Sequence, residues 1–273
     1  MDKRLQALRS IIKDMGSLLI AYSGGVDSTF LLKVSKDTVG DRVIAVTAKS
    51  LTYPGREYDE AQKRAREFGV RHLTIVSEEL DIPEFSDNPP DRCYYCKREL
   101  FSKLSEIAVR ERINYVADGS NLDDLGDFRP GMRAAEEAGI RSPLREAGLT
   151  KQDIRELSRD IGLSTWNKPS FACLASRFPY GDKIVPEGLH MVDEAEEYLH
   201  SLGFGQLRVR HHNNLARVEV PQEDVERFWE DGLRTTIVEK LKEIGYTYVT
   251  LDLQGYRSGS MNEALEAHER QAR

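Results

Sequence analysis

The sequence predicts an α/β protein, a parallel sheet with helices on both faces, followed by a small C-terminal α+β domain. Three observations predict it. Short apolar, β-branched runs alternate with helical stretches through the first 181 residues. The run at Leu18–Ala21 passes through Ser23-Gly24-Gly25 straight into a helical pattern. Beyond Gly181 the rhythm becomes one amphipathic helix followed by alternating strands. Residues 1–181 are therefore read as one domain and 182–273 as a second.

In chain order, Leu5, Leu8, Ile11 or Ile12 and Met15 mark an amphipathic segment rather than the apolar block of a signal peptide. Leu18–Ala21, Arg42–Thr47 and His72–Val76 read as buried parallel strands, and Tyr115–Ala117 as a weaker fourth. Asp27–Thr38, Glu57–Glu67 and Lys97–Arg112 are the intervening helices. Lys151–Asp160 is a further helix, with Thr150 as N-cap and Asp153 completing a variant capping box. In the second domain Gly188–Leu202 is amphipathic, with Leu189, Val192, Ala195, Leu199 and Leu202 on one stripe. Leu207–His212 and Leu215–Val220 alternate as strands around an Asn213-Asn214 turn. Helices at Glu223–Glu230 and Leu233–Ile244 and a strand at Tyr246–Leu253 follow.

Composition excludes several classes. At 273 residues, 40% hydrophobic and 31% charged, the chain can bury a sizeable core. Its net charge of -7 argues against a general nucleic-acid binder. No apolar run reaches the length of a membrane span, and a cytoplasmic location is expected. Three cysteines without an export signal make a disulfide framework an unpromising reading and direct attention to metal or thiol chemistry.

Ser23-Gly24-Gly25-Val26-Asp27-Ser28 is the first chemical signal. Glycines let backbone amides approach an oxyanion, and the first amides of a helix have no internal partner and sit at the positive end of its dipole. Ser23 and Ser28 add hydroxyls. The absence of Gly-Lys-Ser/Thr rules out a Walker A loop, and the glycine spacing differs from the dinucleotide fingerprint. Asp27 suits such a site if Mg²⁺ lies between it and a phosphate.

This string resembles the signature of the pyrophosphate-loop (PP-loop) ATP pyrophosphatases, which cleave ATP between the α and β phosphates and adenylate a substrate. Asp118-Gly119-Ser120-Asn121-Leu122-Asp123-Asp124 is similar to their second motif. The stretches "KPSFACLASRFPYG", Lys168 to Gly181, and "GYRSGSMNE", Gly255 to Glu263, resemble one family within that group. That family comprises the ATP-dependent sulfur transferases of nickel-pincer nucleotide biosynthesis, which act on pyridinium-3,5-biscarboxylic acid mononucleotide. The resemblance implies an adenine-nucleotide alpha hydrolase-like fold and use of ATP and Mg²⁺. It implies ATP contacts from Ser23, Gly24, Gly25, Asp27, Ser28, Gly119 and Asp123. It also implies a homo-oligomer, a small nucleotide substrate and a sulfur source such as a cysteine desulfurase. A tRNA-thiolating enzyme and an amidating ligase of the same superfamily are the alternatives; the acidic balance weighs against the first, and the second would leave the cysteines idle.

In such a family Cys173 resembles a sulfur donor, because adenylation makes a carboxylate open to thiolate attack. Arg177 and Lys168 are candidates for lowering its pKa. Cys93 and Cys96 add a Cys-x-x-Cys pair. Together with Cys173 they match a [4Fe–4S] site with one free iron, known in some three-cysteine relatives; a redox or persulfide relay and inert thiols remain open.

An Asn213-Asn214 turn places Arg208 opposite Glu219 and Arg210 opposite Arg217, with His212 on the same face. Facing like charges call for an anion, so Arg208, Arg210 and Arg217 are expected to hold the substrate's phosphate. His211-His212 is a poor metal pair, since neighbours on a strand point apart. Asp193, Glu194, Glu196 and Glu197 read as a solvated helix face, and Arg129, Arg133 and Arg141 as residues that border the site or pair on the surface.

Overall fold

The computed structural model describes residues 2–126, 130–169, 172–257 and 259–260. They form two compact units: residues 1–85 with 91–171, and residues 86–90 with 172–273. The division thus falls at Ala172, ahead of Gly181, and a short segment from the middle of the first unit's sequence belongs to the second.

The first unit runs α1 (Lys3–Met15), β1 (Leu18–Ala21), α2 (Val26–Val39), β2 (Val43–Lys49), α3 (Gly55–Glu67), β3 (Arg71–Val76), α4 (Pro83–Ser86), α5 (Arg92–Arg110), β4 (Tyr115–Ala117), α6 (Pro130–Glu137), α7 (Pro143–Glu146) and α8 (Lys151–Asp160). Its sheet has the order β3-β2-β1-β4, parallel throughout. Alternation along β1 builds the layers. Leu18 and Ile20 join a core with Leu8 and Ile12 of α1, Phe30 and Leu31 of α2 and Ile154 of α8. Leu19 faces the other way, with Phe101 and Leu104 of α5 and Ala134 of α6. Helices cover both faces, as the continuous apolar strands require.

The chain leaves β1 toward β2 and β3 on one side and returns to β4 on the other. Between β1 and β4 the order reverses, so the loops leaving their carboxyl ends flank the crevice where open α/β sheets take ligands. Those two loops carry Ser23–Ser28 and Asp118–Asp124.

The second unit contains α9 (Pro186–Ser201), β5 (Arg208–His212), β6 (Leu215–Glu219), α10 (Leu233–Ile244) and β7 (Tyr248–Leu251), in a sheet of order β5-β6-β7. The hairpin has the expected register, Arg208 opposite Glu219 and Arg210 opposite Arg217, and Asn213 takes the left-handed conformation its turn requires. β7 then joins β6 in parallel. The core of this unit gathers Leu199 of α9, Val209, Val218, Ile237 and Leu241 of α10, and Tyr246. Glu223–Glu230, expected as an α-helix, lies within a 3-10 segment at Gln222–Trp229.

Candidate active site

The corner between β1 and α2 is built from glycine geometry. Gly24 has φ +65°, and a Cβ there would come within 3.0 Å of the Ala61 Cβ on α3, so both conformation and packing favour glycine. Gly25 caps α2 in extended backbone without any side-chain cap, leaving the first amides of the helix available to a ligand. The hydroxyls of Ser23 and Ser28 lie 3.1 Å apart, and the Ser23 amide donates to Ser28 Oγ at 3.3 Å. Tyr53, from the turn after β2, donates its hydroxyl to the Ser23 carbonyl at 2.8 Å. Since carbonyl and next amide of a trans peptide point in opposite directions, this bond fixes where the Gly24 N–H points.

The second motif closes on the same corner. A Cβ on Gly119 would stand 3.0 Å from the Ser28 nitrogen and 3.2 Å from its Cα. Asp118 holds that loop together, accepting from Ser120 Oγ at 2.7 Å and from Ser142 Oγ at 2.7 Å. Asp123 accepts from the Lys151 amide at 2.8 Å, and Lys151 Nζ reaches Asp27 Oδ2 at 2.5 Å. The other oxygen, Asp27 Oδ1, is buried without a hydrogen-bond partner among the described residues. A buried carboxylate oxygen left over beside helix amides is a fitting ligand for Mg²⁺. Ser23, Gly24, Gly25, Asp27, Ser28, Gly119 and Asp123 thus stand around one crevice, joined by Lys151 and Tyr53, which sequence reasoning passed over. Lys151 left one cue, a positive charge in the first turn of a helix, where the dipole disfavours it.

Cys93 and Cys96 lie in the first two turns of α5, the former exposed and the latter half-buried. Beside them Tyr94 donates to Glu137 and carries the Arg133 guanidinium 4.0 Å over its ring. Arg141 is paired with Glu146, and Arg129 lies outside the described residues. Lys168 is held by Glu57 and Glu60, at 2.7 and 2.8 Å. Among the described residues no group of three or more His, Cys, Asp or Glu side chains stands ready to hold a metal ion.

In the second unit Cys173 is half-buried and caps a short 3-10 turn, Leu174–Arg177. Arg177 is fully buried. Its Nη1 donates to the carbonyls of Ala172 and Cys173, at 2.7 and 3.2 Å, so the backbone of the cysteine is gripped directly. Nε and Nη2 meet Glu196 at 2.9 and 2.8 Å, and Glu196 also accepts the Val209 amide of β5. Glu196 is therefore buried rather than part of a solvated face. The acidic run of α9 hid it because burial would ordinarily exclude such a residue, and only its pairing with Arg177 permits it. Burial works to raise the Glu196 pKa, but the charge and hydrogen bonds of Arg177 overcome it and hold the carboxylate below its ordinary range.

The expected arginine face is present. Glu219, buried, accepts from Arg210 at 2.8 Å and from Arg217 at 3.2 Å, so one carboxylate separates the two facing guanidiniums. Arg210 also reaches the Ser176 carbonyl at 3.0 Å, and Arg208 lies over the Tyr256 ring. His211, on the opposite face, meets Tyr246 Oη at 3.2 Å, a structural role.

No protein-family model matches the chain. It is 40% identical to the pyridinium-3,5-bisthiocarboxylic acid mononucleotide synthase of Lactiplantibacillus plantarum, over 94% of this chain and 93% of that protein. The chain belongs to that synthase family. An uncharacterized Synechocystis protein is 44% identical over 97% of this chain and 99% of its own length. Beyond the synthase family, the argininosuccinate synthase of Pyrococcus furiosus is 28% identical over 55% of this chain and 40% of its own. Within the synthase family the glycine corner and its Asp118–Asp124 partner loop read as an ATP site of PP-loop type, and a glutamine-hydrolyzing GMP synthase polypeptide of Archaeoglobus fulgidus is 27% identical over 59% of this chain and 56% of its own.

Proposed function

We propose that this chain adenylates the carboxylates of pyridinium-3,5-biscarboxylic acid mononucleotide with ATP, releases pyrophosphate and inserts sulfur to give the thiocarboxylate used in nickel-pincer cofactor biosynthesis. The observation that carries the reading is the near full-length match to the synthase, combined with the glycine corner that family needs for ATP.

The residues divide the work. Amides of Gly24 to Ser28 and the hydroxyls of Ser23 and Ser28 hold the leaving phosphates. Asp27 and Asp123 offer carboxylates to Mg²⁺, which, when bound, stabilises the charge passing to pyrophosphate. Lys151, released from Asp27, neutralises phosphate from the other side. Carboxylate oxygen attacks the α phosphorus, and pyrophosphate departs. The Cys173 thiolate then displaces AMP from the acyl adenylate to form a thioester, and cleavage of its Cβ–S bond leaves sulfur on the product and dehydroalanine in the protein. Arg208, Arg210 and Arg217 hold the substrate's phosphate.

A [4Fe–4S] cluster on Cys93, Cys96 and Cys173 is the second route, supported by the Cys-x-x-Cys spacing in α5. Such a cluster supplies a free iron for an extra sulfide. With no metal-holding group assembled among the described residues, no step is written through it. We further place the protein in the cytoplasm, working as a homo-oligomer supplied by a desulfurase or other sulfur source; no helix among the described residues is long and apolar enough to cross a membrane.

Two measurements test the reading. Pyrophosphate must appear only when ATP, Mg²⁺ and the mononucleotide are all present; release with none of the pyridinium substrates ends the proposal. Intact mass after one turnover then separates a consumed Cys173, lighter by hydrogen sulfide, from a recycled one.

A further inference from the structure

The polar groups on the hairpin face do not balance. Arg208, Arg210 and His212 share one side of β5, with Arg217 and Glu219 beside them on β6. Glu219 occupies one nitrogen of Arg210 and one of Arg217, and Asp252 lies 3.7 Å from Arg217 Nη1. Arg210 Nε, Arg217 Nε and His212 Nε2 are each buried without a hydrogen-bond partner among the described residues. Arg210 itself is only 5% exposed. Two of these nitrogens are permanent donors; the third is a dependable donor only when the imidazole carries a proton on it. Three guanidiniums against two carboxylates leave a positive surplus in the same place.

We infer that this hairpin recognises a phosphate monoester as its dianion, and that His212 takes a proton from solvent onto Nε2 as the phosphate binds. The inference rests on the reading of Arg208, Arg210 and Arg217 as the phosphate grip. A monoester dianion presents three terminal oxygens, matching the three unsatisfied nitrogens; a diester offers two and a single charge. The groups facing His212 are Arg217 and Glu219 from β6, Arg210 from its own strand, and Asp182 from the turn that follows Tyr180. Without the anion, burial and then Arg217 keep the imidazole below its ordinary pKa, hence neutral near pH 7. A dianion reverses the local sign and draws the proton in. The site thereby selects a mononucleotide over a dinucleotide, whose corresponding phosphate is a diester.

Calorimetry with pyridinium-3,5-biscarboxylic acid mononucleotide at pH 7.5, in buffers of different ionisation enthalpy, reads this directly. Wild type should take up close to one proton per nucleotide, and its affinity should fall by up to about tenfold per pH unit between pH 7 and 9. The methyl ester of the same phosphate should bind at least about tenfold more weakly and without uptake. His212→Gln, which keeps an N–H but does not titrate, should abolish the uptake and flatten the pH profile. Uptake that persists in His212→Gln, or is absent from wild type, overturns the inference. An independent readout uses wild type alone: one imidazole proton resonance should titrate at higher pH with nucleotide bound, and no such rise overturns it equally. Arg210→Ala separates the two levels. If it binds like wild type, the phosphate-grip reading itself fails; if it loses binding while wild type shows no proton uptake, only the role of His212 falls.

Discussion

Lys151 Nζ lies 2.5 Å from Asp27 Oδ2, and its own main-chain nitrogen lies 2.8 Å from Asp123 Oδ2. One residue at the start of α8 thus ties the glycine corner of β1–α2 to the second loop. The position is unfavourable for a lysine on dipole grounds, which indicates that it serves the ligand rather than the helix. Lys151→Met should weaken Mg-ATP binding by about tenfold or more, the range expected for a charged hydrogen bond. The melting temperature should change little, because the dipole conflict is relieved as the Asp27 pairing is lost. Calorimetry beside thermal unfolding checks both.

Asp27→Asn keeps the shape of the carboxylate and removes its charge. With Asp27 Oδ1 otherwise unpartnered, the expected result is loss of the metal-dependent part of nucleotide binding. ATP affinity measured with Mg²⁺ and with a chelator should become nearly equal in the variant. A wild-type gap between the two conditions would show that the ion is held elsewhere.

Gly119→Ala sets a methyl group 3.0 Å from a main-chain nitrogen that cannot swing aside. Overpacking of this kind costs about 1–3 kcal/mol, and here the strain falls on the loop that faces α2. Chemical denaturation should show the loss, and ATP affinity should drop with it. Gly55→Ala is the control: its Cβ meets nothing within 4 Å, and it stands at the start of α3, where alanine is the better helix former.

Glu196→Gln breaks a buried ion pair and leaves Arg177 uncompensated, a change expected to cost about 3–5 kcal/mol. The pH dependence has a fixed sign. A carboxyl whose folded pKa is depressed contributes stability that is fully present above its unfolded value of about 4.3 and lost as pH falls through the lower folded value. Wild type should therefore lose stability between about pH 4 and more acidic conditions, and the variant should show a shallower slope there. Denaturant midpoints across that range decide it.

Much of the first unit could be read from residue order because its strands are short apolar runs punctuated by glycine. The β1–α2 corner is wholly local, so Ser23 to Ser28 announced both geometry and ligand. The hairpin register was equally legible, since Asn213-Asn214 fixed the turn and alternation did the rest. Helices α6 and α7 were missed within "RPGMRAAEEAGIRSPL", whose glycines and prolines read as loop. Tyr53 and Glu196 were missed for another reason. Each acts through a partner distant along the chain, Ser23 or Arg177, and no periodicity records such pairings. Asp193 to Glu197 looks uniformly acidic; only tertiary packing decides which member turns inward.

Asn88 carries a further consequence. Buried and in left-handed backbone, it spends its side-chain amide on the carbonyls of Phe178, Pro179 and Asp182, while its own carbonyl accepts the Gly181 amide. The five residues around it are therefore a foreign strip sewn into the carboxyl-terminal half. No single proteolytic cut can release that half intact, and a fragment begun at Ala172 would emerge with three orphaned acceptors where the strip belongs. Gene dissection of this enzyme has to treat the second unit as a discontinuous module, recovered whole only by grafting Ser86–Pro90 back onto it.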